Sequence, residues 1–459
     1  MITDNPITKK SLDFAFGLSW GAIPDKAVSM TRKYVFDLMA SALAGTKSEK
    51  TRAVYAAARA YAGKGDTPAF GSKELFSIRD AALINGAAGH ALETDDSDRT
   101  GLSHPGVMVI TPALLTAFKR HKSGKDFIRA CVAGYEVMLR IGTALGLPHY
   151  DIWHTTSTSG VFGAVISSGL LYDLSRTELG HAFGNAGSLA GGLWEFNRTR
   201  ALSKILHVGA GASNALLCVH LAKEGFTGTD LVLEGDQGLF AGYGRRDADF
   251  SVFDDYGKFW RSEGVSFKPY PCCRHTHGGI DCGIDLHGKI PAEKVKYIDS
   301  VSIETYRAAY QVVSSNTVRT SADAKFSLPY CVLRALLDGE ITEKSFSPES
   351  FSEEAIQALL KKTGVKTAQD IQAVHPFHEE CRVTVAMADG KSFTAFVADP
   401  LGEPENPVGW DGLKVKARDE IGGLMTEAEF DYLYDACRRL EDIPDMADFY
   451  HNLQKASVK

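Results

Sequence analysis

Four acids, Glu93, Asp95, Asp96 and Asp98, fall among hydroxyl and imidazole side chains in one short segment, HALETDDSDRTGLSHP from His90 to Pro105. No other stretch of the chain gathers acid/base groups so densely. The residues before it, Ala81 to Gly89 (AALINGAAG), are too small and apolar for a surface helix, so the cluster is predicted to begin where a buried helix ends. A carboxylate delivered to a protein interior is costly unless it is paired or used. The plainer alternative is a solvated turn whose acids cap a helix. Four later segments also carry candidate chemistry. His154 lies in DIWHTTSTSGVFGA, a hydroxyl-rich run leading into a small-residue helix whose N-terminus suits a carboxylate. Lys204 and His207 lie in RTRALSKILHVGAGAS, where a lysine among apolar residues either serves a site or snorkels to solvent. FKPYPCCRHTHGGID compresses Lys268, Arg274, His275 and His277 around two prolines, and Tyr330 in DAKFSLPYCV either supplies a phenolic proton or packs.

These groups must be held by elements that the sequence also announces. From Asp25 to Gly45 the residues Val28, Val35, Leu38, Met39 and Ala42 recur on one helical face. Ser175 with Glu178 forms a capping box. The small-residue runs Gly160 to Gly169 and Val208 to Ala215 predict helices packed backbone against backbone in the middle of a bundle. Near Gly264 the pattern changes. Ile298 to Tyr306 alternates as a strand, and Cys381 to Met387, Ala388-Asp389-Gly390 and Lys391 to Ala398 read as a β-hairpin. Between them a helix is predicted from Ser352 to Gly364, and Asp399 to Pro407 (DPLGEPENP) reads as a linker. Thr426 and Glu429 cap a further helix with Phe430, Leu433, Cys437 and Leu440 on its buried stripe. The fold class expected is mainly α. Residues 1–265 and 406–459 form a discontinuous all-α domain, and 266–405 a smaller α+β lid domain.

Composition narrows the function. With 459 residues, 44% hydrophobic and 23% charged, the chain reads as an ordinary soluble globular protein with room for two or three domains. A net charge of −7, with no basic stripe, argues against nucleic acid as a partner. No leader pattern opens the sequence, and no window is expected to cross a membrane, so the expected location is cytoplasmic. The eight cysteines lack C-x-x-C spacing, and His275-x-His277 resembles half a metal site without a third ligand, so no metal is expected. Cys272 and Cys273, beside Arg274 and His275, leave a nucleophilic thiol as an alternative.

The order of the segments is more specific than any one of them. NGAAGHALETDD with SHPG, WHTTSTSGVFGA, SKILHVGAGASN with EGFTGTDLVLEGDQGLF, and FKPYPCCRHTHGGID together resemble the MmgE/PrpD family over nearly the whole chain. That family includes 2-methylcitrate dehydratase, cis-aconitate decarboxylase and iminodisuccinate epimerase. The resemblance implies a large helical domain with a smaller α+β lid, a homodimer, and catalysis on a short polycarboxylate without metal or organic cofactor. It also implies roles. His104 and His154 would exchange protons, with Glu93 or Asp96 orienting an imidazole and Tyr330, or Phe326 under a shifted alignment, in the family's tyrosine slot. Ser97, Lys204, Lys268, Arg274 and His277 would bind substrate carboxylates. ETDD stands where many members read DFDD, so Glu93 reaches one methylene further than the usual aspartate. Dehydration of a 2-methylcitrate-like acid is the first expectation, with epimerisation or decarboxylation on the same residues as runner-up. A non-catalytic scaffold and a metal hydrolase built on His275 and His277 are readings from other classes.

Overall fold

The computed structural model describes residues 6–61, 65–199 and 201–458. The chain divides into two compact units, Met1–Val265 with Leu413–Lys459, and Ser266–Gly412.

The first unit is helical because its sequence is a succession of apolar stripes closed by capping residues. Helix α1 (Asp25–Gly45) buries Val28, Val35, Leu38, Met39 and Ala42, as their spacing predicts. Helix α2 (Ile78–Gly89) starts at Ser77, whose hydroxyl accepts from the Asp80 N–H, and is buried from Ile84 to its end. Helices α3 (Pro105–Lys119), α4 (Gly124–Tyr150), α5 (Thr155–Leu171) and α6 (Ser203–Lys223) complete the frame. Every residue of α5 is buried, so it lies surrounded by its neighbours α3, α4 and α6. Such crowding requires missing side chains. A Cβ on Gly134 of α4 would come 2.7 Å from the Gly163 carbonyl oxygen of α5, and the reverse contact is also 2.7 Å. A Cβ on Gly86 of α2 would lie 3.0 Å from Gly209 Cα of α6.

One expectation needs correcting here. Helices α4 and α6 are long and apolar enough to cross a membrane by length and composition, although 83% and 61% of their apolar windows are buried inside the protein. That burial is the pattern of core helices.

The second unit carries a four-stranded sheet of β1 (Ile298–Thr305), β2 (Thr363–Thr367), β3 (Cys381–Met387) and β4 (Ser392–Val397) in the order β2-β1-β3-β4. Strands β1 and β2 are parallel, whereas β1/β3 and the predicted β3/β4 hairpin are antiparallel. The residues of β3 alternate between buried and half-buried. Helix α7 (His277–Lys289) covers β3 and β4 and packs on α8 (Leu328–Asp338). The helix expected from Ser352 to Gly364 is broken. It resolves into Pro348–Ser352 and Glu354–Leu360, and Gly364 pairs with Ser302 inside β2. The segment read as a linker is also structured: Glu403 is fully buried and accepts hydrogen bonds from Ser266 and Arg274. Helix α9 (Trp410–Ile421) follows, and its residues from Leu413 on belong to the first unit.

Candidate active site

The acidic segment is an interior loop, and the solvated-turn alternative fails. Glu93, Asp95, Asp96, Ser97 and Asp98 are all buried, in a loop that joins the end of α2 to the start of α3. Glu93 adopts φ +64°, a left-handed conformation that costs a side-chain-bearing residue energy and marks functional positions more often than others.

Each acid has a different partner. Glu93 Oε2 lies 2.5 Å from Lys204 Nζ, which projects from the first turn of α6. Both groups are nearly inaccessible, and the pair offsets part of the cost of burying each charge. Asp95 receives the Nδ1–H of His90 on both oxygens, at 2.7 and 2.9 Å. The Asp96 carboxylate accepts the Gly106 N–H at 2.9 Å and the Tyr135 hydroxyl at 2.8 Å. A Cβ on Gly106 would fall 2.9 Å from those same oxygens, so a glycine is needed for the approach. Burial, reinforced by the neighbouring Asp95 charge, pushes the Asp96 carboxyl up to about 8 despite these bonds. Asp98 folds back on the Thr100 hydroxyl and the Gly101 N–H, and burial raises it too.

From below, Lys416 of α9 donates to the Thr94 carbonyl and to Asp37 of α1, both at 2.6 Å. The loop is thereby clamped to the two ends of the first unit's sequence.

His104 and His154 occupy equivalent places, each the residue that caps the N-terminus of a buried helix, α3 and α5 respectively. The two caps are joined, since the His104 N–H donates to Thr156 Oγ1 at 3.1 Å. His104 Nδ1–H donates to the Asp96 carbonyl at 2.7 Å, which makes Nε2 the lone-pair nitrogen of its neutral ring. The orienting role expected of the Glu93 or Asp96 side chain therefore falls to the Asp96 main chain. The Glu93 carboxylate instead holds Lys204.

His154 stands against an aromatic wall, with Trp194 at 5.2 Å and Phe196 at 6.3 Å between ring centroids. Its Nδ1 lies 3.4 Å from Nδ1 of His207, one turn beyond Lys204 on α6. Burial holds His154 well below the ordinary imidazole value, helped by the positive charge of Lys204, and burial brings His207 down to about 4. Both rings are neutral near pH 7. The buried Nε2 of His154 has no hydrogen-bond partner within the protein, so it can accept a proton or a substrate hydrogen bond.

His90, missed as a functional residue by sequence reasoning, completes the cluster. Its ring lies 4.8 Å from that of His104 and 6.0 Å from that of His154. One ligand atom each from His90, Glu93 and His104 lie within 4.8 Å of one another, close enough to enclose a cation. The Lys204 ammonium supplies positive charge beside this group, at Glu93. The signal in the sequence was faint: His90 opens the acidic segment, but nothing in its spacing reveals the contact with Asp95.

The second unit's candidates divide differently. Lys268 is fully buried. Arg274 is committed inside its own unit, donating to Glu403 and to the carbonyls of Phe267 and Leu401, with His277 Nδ1 at 2.9 Å from its guanidinium. A guanidinium so occupied holds the unit together, and the expected grip on a substrate carboxylate moves away from it. His275 turns to the Tyr306 hydroxyl at 2.8 Å, so His275 and His277 face different partners instead of forming a metal pair. The Tyr330 hydroxyl donates to the Ser345 carbonyl from a buried position in α8, which removes it from proton chemistry. Phe326 is buried in the same apolar core. Burial and a shared hydrogen bond tie the Cys272 and Cys331 thiols together, and both are enclosed.

The whole arrangement has known counterparts. The MmgE/PrpD N-terminal domain matches residues 11–251 and the MmgE/PrpD C-terminal domain residues 270–440. Human cis-aconitate decarboxylase is 24% identical over 96% of this chain and 92% of its own length. The mouse cis-aconitate decarboxylase is likewise 24% identical, over 99% and 94%, and that of Aspergillus terreus is 23% identical, over 96% and 94%. With both family domains in sequence and the acid loop, paired caps and lysine inside the first, the chain belongs to the MmgE/PrpD family.

Proposed function

We propose that the protein is a lyase for a short di- or tricarboxylic acid, and that its reaction is decarboxylation of a cis-aconitate-like substrate. The observation that carries this reading is the convergence of half-buried His104 with buried His154 and the buried Glu93–Lys204 pair in one cluster. When the bond to the departing carboxylate breaks, its electron pair passes into the remaining conjugated system. Lys204 supplies the fixed positive charge for that anion. An imidazole then delivers a proton to carbon, and a neutral His154 is suited to accept one in the reverse sense. Dehydration, the first expectation from sequence, asks for the same groups plus an acid at a leaving hydroxyl. The relatives named cis-aconitate decarboxylase favour the carboxy-lyase.

Proton NMR in D₂O tests this directly, with cis-aconitate, trans-aconitate, citrate, 2-methylcitrate and iminodisuccinate offered separately. The expected result is release of carbon dioxide from cis-aconitate and a product carrying one new carbon-bound deuterium. Loss of water from 2-methylcitrate or epimerisation of iminodisuccinate in its place would reassign the reaction. Absence of both turnover and exchange with every acid would overturn the lyase reading.

A further inference from the structure

Four imidazoles share the site, and their surroundings differ in one respect that decides where a positive charge can rest. His104 and His154 cap helix N-termini, where the aligned peptide dipoles disfavour a cation. His207 lies against the Phe196 ring and beside His154. His90 alone of the four caps a helix C-terminus, that of α2, where carbonyl oxygens favour a cation. Its ring Nδ1 also lies against both oxygens of Asp95 at 2.7 and 2.9 Å, and both residues are wholly inaccessible. If His90 were only a structural donor to Asp95, its Nε2 would remain a buried acceptor with nothing to accept, and its Nε2 indeed has no partner within the protein.

We propose that His90 and Asp95 form a proton-holding dyad for His104, a positioning role that deepens the proton-transfer reading above and rests on it. Loss of carbon dioxide leaves the electron pair of the broken bond in the conjugated system, and His104 delivers a proton to the carbon that carries it. The replacement proton, taken from solvent, is held on His90 and passes to His104; one ring nitrogen of each lies within the 4.8 Å cluster, a separation that one bridging water spans. The Nδ1 proton of His90 stays on Asp95, and no electron is gained or lost. The charge that results rests between the C-terminus of α2 and the Asp95 carboxylate. Other charged or titratable groups facing His90 are Glu93 on its own loop, His104 before α3, His154 before α5, and Lys204 and His207 on α6; Lys416 of α9 acts on Asp95.

The test combines turnover with a readout that needs no substrate. His90→Asn keeps a donor for Asp95 but cannot hold the proton. Its kcat is expected to fall at least ~10²-fold, with KM changing by less than about threefold. In the full-length protein labelled with ¹³C at histidine Cε1, His90 is expected to take up a second ring proton on acidification. Asp95→Asn should lower the midpoint of that transition by about one pH unit or more. His104→Gln should move it as well. A His90 ring that stays in one neutral tautomer from about pH 5 to 9 in the unsubstituted protein would overturn the proposal, as would stoichiometric metal bound to it. So would His90→Asn with ordinary kcat. Should no acid be turned over at all, the lyase reading fails while the NMR titration still decides the dyad. Should His90→Asn not fold, Asp95→Asn carries the measurement.

Discussion

His104 and Lys204 sit within one cluster yet act in different stages of a reaction, and the kinetics of their variants should separate them. An imidazole that moves a proton matters in the transition state, whereas an ammonium that holds a carboxylate favours ground and transition state together. His104→Ala is expected to lower kcat by at least ~10²-fold with little change in KM, and Lys204→Met, which removes charge from bound substrate and developing anion alike, to raise KM as well as lower kcat. Steady-state kinetics on the substrate found by NMR checks both; a His104→Ala enzyme with near-normal kcat would hand the proton to His154. At this scale the sequence named His104, His154, Glu93 and Lys204 as candidates from four separate motif positions, and the structure brings them into one cluster. It was silent on tautomers. Nothing in the spacing of HALETDD distinguishes Asp95, which grips a histidine ring, from Asp96, which caps α3 with its side chain and orients His104 with its carbonyl. Arg274 and Tyr330 were overvalued for a related reason. A buried polar side chain looks catalytic until the backbone carbonyls and carboxylates that satisfy it can be seen.

Among the elements, α2 and α6 matter most to the site, since one ends at His90 and the other begins beside Lys204. Their separation is fixed by glycine. A Cβ added at Gly209 would lie 2.4 Å from the Leu83 carbonyl oxygen and 3.1 Å from Leu83 Cδ1, so the two backbones would have to part. Gly209→Ala is expected to cost about 1–3 kcal/mol, read as a lower denaturation midpoint, and to reduce kcat through the displaced Lys204. An alanine variant with unaltered stability would mean that the contact is looser than its geometry. Small-residue helices were legible in advance because only Gly, Ala and Ser permit such approach. The break between Ser352 and Gly364 was not. Helical spacing in FSEEAIQALL continues smoothly to the point where Thr363 and Gly364 are captured by β1, and pairing with a distant strand leaves no local trace.

At the scale of the molecule, the buried acids couple stability to pH. Asp96 stands at about 8 in the folded chain, against about 4 for an ordinary aspartate. Between those values the folded protein holds a proton that the unfolded chain has released. The contribution of this group is therefore most favourable below about pH 4, declines as pH rises, and is flat above about 8. Asp96→Asn, which stays neutral at every pH and can still accept the Gly106 N–H, should show a smaller fall in Tm between about pH 6 and 9 than the unsubstituted protein. Equal slopes would place the proton elsewhere. The order of synthesis adds a further consequence. The acid loop emerges from the ribosome early, but Lys416, which ties the Thr94 carbonyl to Asp37, belongs to the closing stretch Leu413–Lys459. A nascent or prematurely terminated chain thus carries the loop without the lysine that ties its backbone to Asp37. The loop therefore gains its last anchor only once the end of the chain has been made.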